Sequence, residues 1–459
     1  MSEFQIISLT GLGLYLLMLI GMGLWSKKSE SQDGFVIGSR NVGYTATFGS
    51  LSASFRDGGG IVLWVGLGVS ASYGALWLIF GCILGLLIYA FVAPPLRQIA
   101  ADNDFITIGE MIRHRLGNLT EKFTAAIVVV FTLANIALQL NVSGMLFAEI
   151  TGLEGWIAIL SIAAVISLYM FLGGYSTVIK TDTIQFFIIL SVIFVPLFLT
   201  PAKSDILNVS TLFSDTLDNR IAFFLVGFCY VLSSSDSWQR VFSARNENVV
   251  RFAFPLAGLF LLIMSLGLIW VGMGAKNNLG DVEQSQALFE IFRQQALPVY
   301  ILAFMGIAIM SITMSTLDTM CYLFTASVAK NFMPPEFTDT RTKYVRLSQV
   351  VIIMVLVSMS VIALTIHDAV DFLFKAASLV FILVPTYVFT AAGWLKKSKR
   401  LDMLVSISLL ASVACYIAMS IRGDFDTLFI LQMVPVALST ILHLICVWAY
   451  PSLIDADHA

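Results

Sequence analysis

Charge is what this 459-residue chain has least of: Asp, Glu, Lys and Arg make up 12% of it, against 58% hydrophobic residues. Soluble domains run near a quarter charged, and with a mean hydropathy of +0.90 the chain has too few polar side chains to cover a soluble surface. That excludes a soluble enzyme of this size and makes the fold class an all-α polytopic membrane protein. Cysteine is also sparse: Cys82, Cys229, Cys321, Cys415 and Cys446 stand singly in apolar segments. With no CxxC pair there is neither a disulfide framework nor a thiolate metal site. Only four histidines occur, far apart in sequence, so no metalloenzyme and no other catalytic constellation is expected. A net charge of −3 and the lack of a basic tract exclude a nucleic-acid partner.

What the chain has in abundance is long apolar runs. Crossing a hydrocarbon core takes about 20 apolar residues, and about thirteen segments qualify: 6–26, 45–73, 74–94, 123–149, 155–173, 178–200, 220–239, 250–275, 298–332, 345–366, 369–395, 401–421 and 428–450. The first is preceded by Glu3 and followed by Lys27 and Lys28, the reverse of a secretory signal, so it reads as an uncleaved helix. Counted from an N-terminus outside, the inside loops hold Lys27, Lys28, Arg40, Arg97, Arg113, Arg115, Lys180, Arg240, Arg245 and Arg251. Further along they hold Lys330, Arg341, Lys343, Arg346, Lys396, Lys397, Lys399 and Arg400. The outside loops hold little beyond Lys203, Arg220, Lys276, Arg293 and Arg422. The positive-inside rule therefore places the N-terminus outside and the C-terminus in the cytoplasm, with the lipid bilayer as the first partner. The inside stretch ITIGEMIRHRL (106–116) reads as an amphipathic helix.

Against this background three polar interruptions stand out. SASFRDGGGIVLW (52–64) puts Arg56 and Asp57 beside Gly58, Gly59 and Gly60, near the middle of the second segment. A bare charge at mid-bilayer costs roughly 2.5–3.5 kcal/mol on insertion scales, and glycine holds a helix poorly. Either Arg56 and Asp57 form a buried structural pair, or the helix unwinds there and its freed carbonyls and half-helix ends face an ion or a solute. Five segments later LSSSDSWQR (232–240) is polar where a helix should be apolar; it is either the end of a span or the matching interruption of an inverted repeat. The third interruption is MSITMSTLDTMC (310–321), where Ser311, Ser315, Asp318 and Thr319 share one helix face with Thr316 beside them. Hydroxyl and carboxylate oxygens on one face suit a hard cation.

At these residues the sequence resembles the sodium:solute symporter family, which includes proline, sugar, pantothenate and sialic-acid carriers. DGFVIGSRNVG (33–43) is similar to that family's first inside loop, and SLSASFRDGGGIVLWVGLG (50–68) to its first core helix. FLGGYSTVIKTDTIQ (171–185), DSWQRVFSARN (236–246) and MSTLDT (314–319) match its later motifs. The resemblance implies a LeuT-type fold of two inverted five-helix repeats over 45–200 and 220–395. A leading helix at 6–26 and two trailing helices within 401–450 complete the single transporter domain. It implies co-transport of Na+, with no organic cofactor, and a sodium site carried over by motif to Phe55, Gly58, Ile312, Ser315 and Thr316. A second sodium site in some members carries over to Asp182, Asp318 and Thr319.

Two residues depart from the family pattern. Arg56 replaces a small residue, and Lys375 adds a cation in FLFKAAS (372–378). Arg56 is read in three ways: it binds a solute carboxylate, it pairs with Asp57 or Asp182, or it substitutes for sodium in a sodium-independent exchanger. Lys375 is read as binding the solute carboxylate, as pairing with Asp371 one turn away, or as snorkelling. The position of the sialic-acid carriers' third-helix Arg is occupied by Asn135, so sialic acid is not the expected solute. The expected function is sodium-coupled import of a small organic solute, a carboxylate or an amino acid, by a monomer in the bacterial inner membrane. Candidate solute and coupling residues are Arg56, Asp57, Gly59, Gly60, Trp64, Asn135, Gln139, Trp238 and Lys375. The rival is a transporter-fold sensor, which would be expected to carry a signalling domain beyond Tyr450, where only nine residues follow.

Overall fold

A computed structural model describes residues 2–29, 40–170, 175–190, 206–280, 282–337, 340–393, 395–426 and 429–449. The loop motif before Arg40, Gly173 and Gly174, the sixth expected span beyond Leu190 and the C-terminal tail lie outside the described residues. Helix α1 (Glu3–Ser29) leads. The second apolar run is two helices, α2 (Tyr44–Ser54) and α3 (Gly58–Ser70), followed by α4 (Leu76–Asp102). The short α5 (Ile108–Arg115) precedes α6 (Asn118–Thr151), α7 (Gly155–Met170) and α8 (Tyr175–Leu190). Next come α9 (Leu217–Leu232) and α10 (Ser235–Ser243), bent by 43° at Ser233–Ser234. Then follow α11 (Glu247–Leu279), α12 (Ala287–Arg293), α13 (Val299–Asn331) and α14 (Arg341–Ala363). The last four are α15 (Ala369–Phe381), α16 (Val384–Ala392), α17 (Lys399–Arg422) and α18 (Val434–Ala449).

By length and composition, nine helices among the described residues can cross a membrane, or ten if the bent pair α9–α10 counts as one span. The sequence count of thirteen is not reached, for a physical reason. At 1.5 Å per residue, the 13 residues of α3 reach about 20 Å, short of a hydrocarbon core of about 30 Å. The described parts of α7 and α8, 16 residues each, are short in the same way. The amphipathic stretch at 106–116 is α5, opened by a capping box in which Thr107 accepts from the Glu110 N–H and the Glu110 carboxylate accepts from the Thr107 N–H at 3.0 Å.

Helix α13 lies at the centre, buried almost continuously from Leu302 to Ala329 and packed on α1, α6 and α8. Around it helices touch through glycine. A Cβ on Gly227 of α9 would stand 1.9 Å from the Leu78 carbonyl oxygen of α4, and one on Gly272 of α11 would stand 2.0 Å from that of Val65 in α3. Small residues let backbones approach where lipid supplies no hydrophobic drive between helices. On the outside, Leu14, Leu17, Leu410 and Trp448 are exposed, as side chains facing lipid should be.

These glycine contacts have no slack. Gly227→Val drives side-chain atoms into backbone, and overpacking costs about 1–3 kcal/mol. A drop of several degrees in the thermal midpoint of the detergent-solubilised protein is expected, while Gly13→Ala, with nothing within 4 Å of its Cβ, is expected to leave it unchanged.

Candidate functional site

The break between α2 and α3 organises the site. Helix α2 ends at Phe55, and Asp57, in extended conformation, caps α3: its Oδ1 accepts from the Gly60 N–H. The first free N–H of α3, that of Gly58, donates to Gln139 Oε1 at 2.8 Å, and Gln139 Nε2 donates to Asn135 Oδ1 at 3.3 Å. So Asn135 and Gln139 of α6 hold the unwound backbone; neither lines the cavity described below. An unpaired backbone donor in lipid costs several kcal/mol, which is why a buried amide stands here. Gly58 also lies tight against Thr313 of α13, whose Cγ2 would be 2.1 Å from an added Cβ. The start of α3 thereby packs beside Ile312.

Arg56 and Asp57 are each 2% exposed, yet among the described residues no ion pair within 4.0 Å joins Arg56 to Asp57 or to Asp182. The guanidinium instead reaches α11: Nη2 donates to Leu261 O at 2.5 Å and to Ser265 Oγ, and Cζ stands 5.1 Å from the Trp64 ring centroid. Among the described residues its Nε is buried with no partner. Asp57 Oδ2 accepts from Tyr230 Oη at 3.3 Å. Arg56, Asp57, Gly60, Trp64 and Tyr230 line one buried cavity of about 50 Å³, closed elsewhere by apolar side chains that include Phe374. Gly59 lies outside it, against Leu138 of α6.

Phe374 also lines a second, wider recess of about 640 Å³ bordered by Asp215, Glu283, Asp368 and Asp371. Phe374 thus borders both the central cavity and an acidic vestibule. Lys375 stands beside this recess, ion-paired with Asp371 at 2.8 Å. The opposite end is sealed through backbone carbonyls. Arg97 Nε donates to Ala244 O at 2.9 Å, Arg40 Nη2 donates to Phe105 O at 2.9 Å, and the Arg245 N–H donates to Val42 O at 2.9 Å.

The oxygen-rich face of α13 meets α8. Ser315 Oγ donates to Asp182 Oδ1 at 2.5 Å, and Thr316 Oγ1 donates back to Ile312 O at 3.4 Å. Among the described residues Ser311 Oγ and Thr319 Oγ1 are buried without partners, and Asp318 is fully buried on the same helix. Arg240, assigned by sequence to an inside loop, is 1% exposed in α10 and reaches Asp182 Oδ2 at 3.6 Å and Asp236 Oδ2 at 3.0 Å. The i,i+4 spacing of Asp236 and Arg240 was the one sequence signal for this. Tyr230, Ser265 and Phe374 gave no signal of their own. Trp238 lies apart, in an apolar cleft with Tyr89 and Tyr387.

The comparisons with known proteins bear out the resemblance read from the motifs. Residues 35–202 match the model of the Sodium:solute symporter family. The chain is 24% identical to Sodium/proline symporter 2 of Staphylococcus saprophyticus over 338 residues, 69% of this chain and 66% of that protein. It is equally identical to the sodium/proline symporter of Staphylococcus aureus strain Newman over 348 residues, 70% and 67% of the two chains. The alignment therefore spans about two-thirds of those relatives' length. Among solved structures, a substrate-bound outward-open Na+-coupled sialic acid symporter matches with a TM-score of 0.78 at 14% identity, covering 97% of this chain and 98% of its own. Mhp1, a nucleobase-cation-symport-1 family transporter, matches at 0.56 and 13%, covering 91% and 95%. The fold is that of the LeuT-type transporters.

The cap at the break is separately testable. Asp57→Ala removes an N-cap worth about 1 kcal/mol and strips Tyr230 of its acceptor, whereas Asp57→Asn keeps the acceptor for the Gly60 N–H and turns an amide N–H2 donor toward the Tyr230 hydroxyl. The thermal midpoint is expected to fall by several degrees for Ala and by clearly less for Asn; equal midpoints for the two variants would show that the cap carries no stability.

Proposed function

We propose that this relative of the sodium:solute symporter family is a sodium-coupled secondary transporter that imports a small carboxylate-bearing solute by alternating access. The observation that carries the reading is the break itself. Among the described residues, a buried guanidinium with an unpartnered Nε lines a cavity at the point where a membrane helix unwinds. A carboxylate offered to Arg56 would satisfy that donor and its charge together. Counting the broken pairs α2–α3 and α9–α10 as one span each, and α7 and α8 as spans, the chain crosses the plasma membrane thirteen times with its N-terminus outside, and two inverted five-helix repeats give the two breaks. No enzymatic activity and no organic cofactor is part of the reading.

Sodium would sit between the carbonyls of Phe55, Gly58 and Ile312 and the hydroxyls of Ser315 and Thr316. The close packing of Gly58 on Thr313 supports this, because it brings the two elements together. Of the second trio, Thr319 keeps a buried oxygen without a partner, but Asp182 is already engaged by two hydroxyls and Arg240; one sodium is the stoichiometry we carry. Each charge moving inward gains about 2.3 kcal/mol per 100 mV. The acidic vestibule would concentrate cations at the outer mouth, and Phe374 would separate it from the solute.

Two measurements test this. A thermal-shift screen of purified protein against amino acids, carboxylates and sugars, run in sodium and in potassium, is expected to find a solute that stabilises only with sodium. Stabilisation that ignores sodium would favour an exchanger with Arg56 as its fixed cation. In proteoliposomes Ser315→Ala/Thr316→Ala is expected to abolish sodium-stimulated uptake, and Arg56→Gln to weaken solute affinity tenfold or more with sodium affinity retained. Unchanged sodium affinity in the double variant would sink the ion site.

A further inference from the structure

A cluster away from the central cavity binds four elements of the bundle through one guanidinium. Arg240 of α10 donates from Nε to Ser50 Oγ at 3.1 Å, from Nη2 to Ser50 O at 3.3 Å and to Ser54 Oγ, and from Nη1 to Asp236 O at 3.1 Å and Asp236 Oδ2 at 3.0 Å. Ser50 passes the contact on, its hydroxyl donating to Asp182 Oδ2 at 2.6 Å. Asp182 in turn takes the Ser315 hydroxyl on its other oxygen at 2.5 Å. Ser50 and Ser54 lie on α2, Asp182 on α8 and Ser315 on α13, and every one of these side chains is at least nine-tenths buried.

The chemistry of a hydroxyl gives this chain of contacts a direction. Serine has one O–H and two lone pairs. With its proton committed to Asp182, Ser315 can offer only lone pairs to its other neighbours, and lone pairs are what a sodium ion requires. Asp182 accepts from a hydroxyl at each of its two oxygens, and it does so most strongly while it is charged and fixed. A fully buried carboxylate stays charged only with a compensating cation, and Arg240 is the one cation that reaches it within 4.0 Å among the described residues.

We infer that Asp182 and Arg240 are positioning residues of the sodium site. Arg240 holds Asp182, Asp182 orients Ser315, and the same guanidinium clamps α2 to α10. The inference rests on the sodium site proposed above at Ser315. Its consequence is a coupling: moving α2 away from α10 breaks the contacts to Ser50 and Ser54, loosens Asp182 and unfixes Ser315. Opening of that end and release of sodium are then one event. Neither residue touches the ion.

The test measures the sodium concentration that half-saturates thermal stabilisation and uptake, and separately the solute affinity at saturating sodium. Arg240→Gln and Asp182→Asn are expected to raise half-saturating sodium tenfold or more while changing solute affinity less than twofold. Arg240→Lys keeps the charge and is expected to recover part of the loss. Ser50→Ala, which leaves both ion pairs in place and removes only the relay, is expected to shift sodium in the same direction by a smaller factor; it serves if the charge variants fail to fold. Wild-type protein that ignores sodium overturns both this inference and the function proposed above. A sodium-responsive wild type with unchanged half-saturation in Arg240→Gln, or in Ser50→Ala if the charge variants do not fold, overturns this inference alone.

Discussion

Everything in this structure follows from one constraint: a helix interrupted inside an apolar bundle must have every freed donor, acceptor and charge answered by protein, because lipid answers none. The break at Phe55–Asp57 is answered locally by the Asp57 cap on Gly60 and at a distance by Gln139 on the Gly58 N–H. Arg56 is answered by the Leu261 carbonyl and the Ser265 hydroxyl. The long helices α6 and α11 are therefore partners of the break as well as walls of the bundle, and their polar residues are set at the depth where α2 ends and α3 begins.

The same logic separates rigid contacts from movable ones. Where α4 meets α9 and α3 meets α11, glycines put backbone against backbone with no room for a methyl group. Around the cavity the contacts are side chains: Phe374 facing the vestibule, Tyr230 on Asp57, and Arg240 on the serines of α2. Side-chain contacts can exchange partners with only rotamer changes, whereas glycine-packed backbones cannot. Alternating access, the mode proposed for this chain, needs both kinds.

The positive-inside reading shows how a sound rule misplaces a residue. Arg240 was counted with the loop cations because it follows a polar run, but Asp236 one turn earlier and Asp182 from α8 hold it inside. Asn135 and Gln139 stand among the candidate solute residues; in the structure Gln139 accepts from the Gly58 N–H and donates to Asn135. For Lys375 the pairing with Asp371 was legible in the spacing, since residues four apart on a helix are neighbours.

The sequence by itself determined the helical membrane class, the polar interruptions of the apolar spans and the oxygen-rich face of α13, because hydropathy and the 3.6-residue period are local properties. Only the tertiary structure decided which partner each buried charge takes. Arg56 and Asp57 are neighbours in sequence yet point to different elements, while Arg240 finds Asp182 from 58 positions away. In a low-dielectric interior an ionised group goes to whichever partner satisfies its geometry most completely, and which partners are in reach is fixed only when the helices have packed.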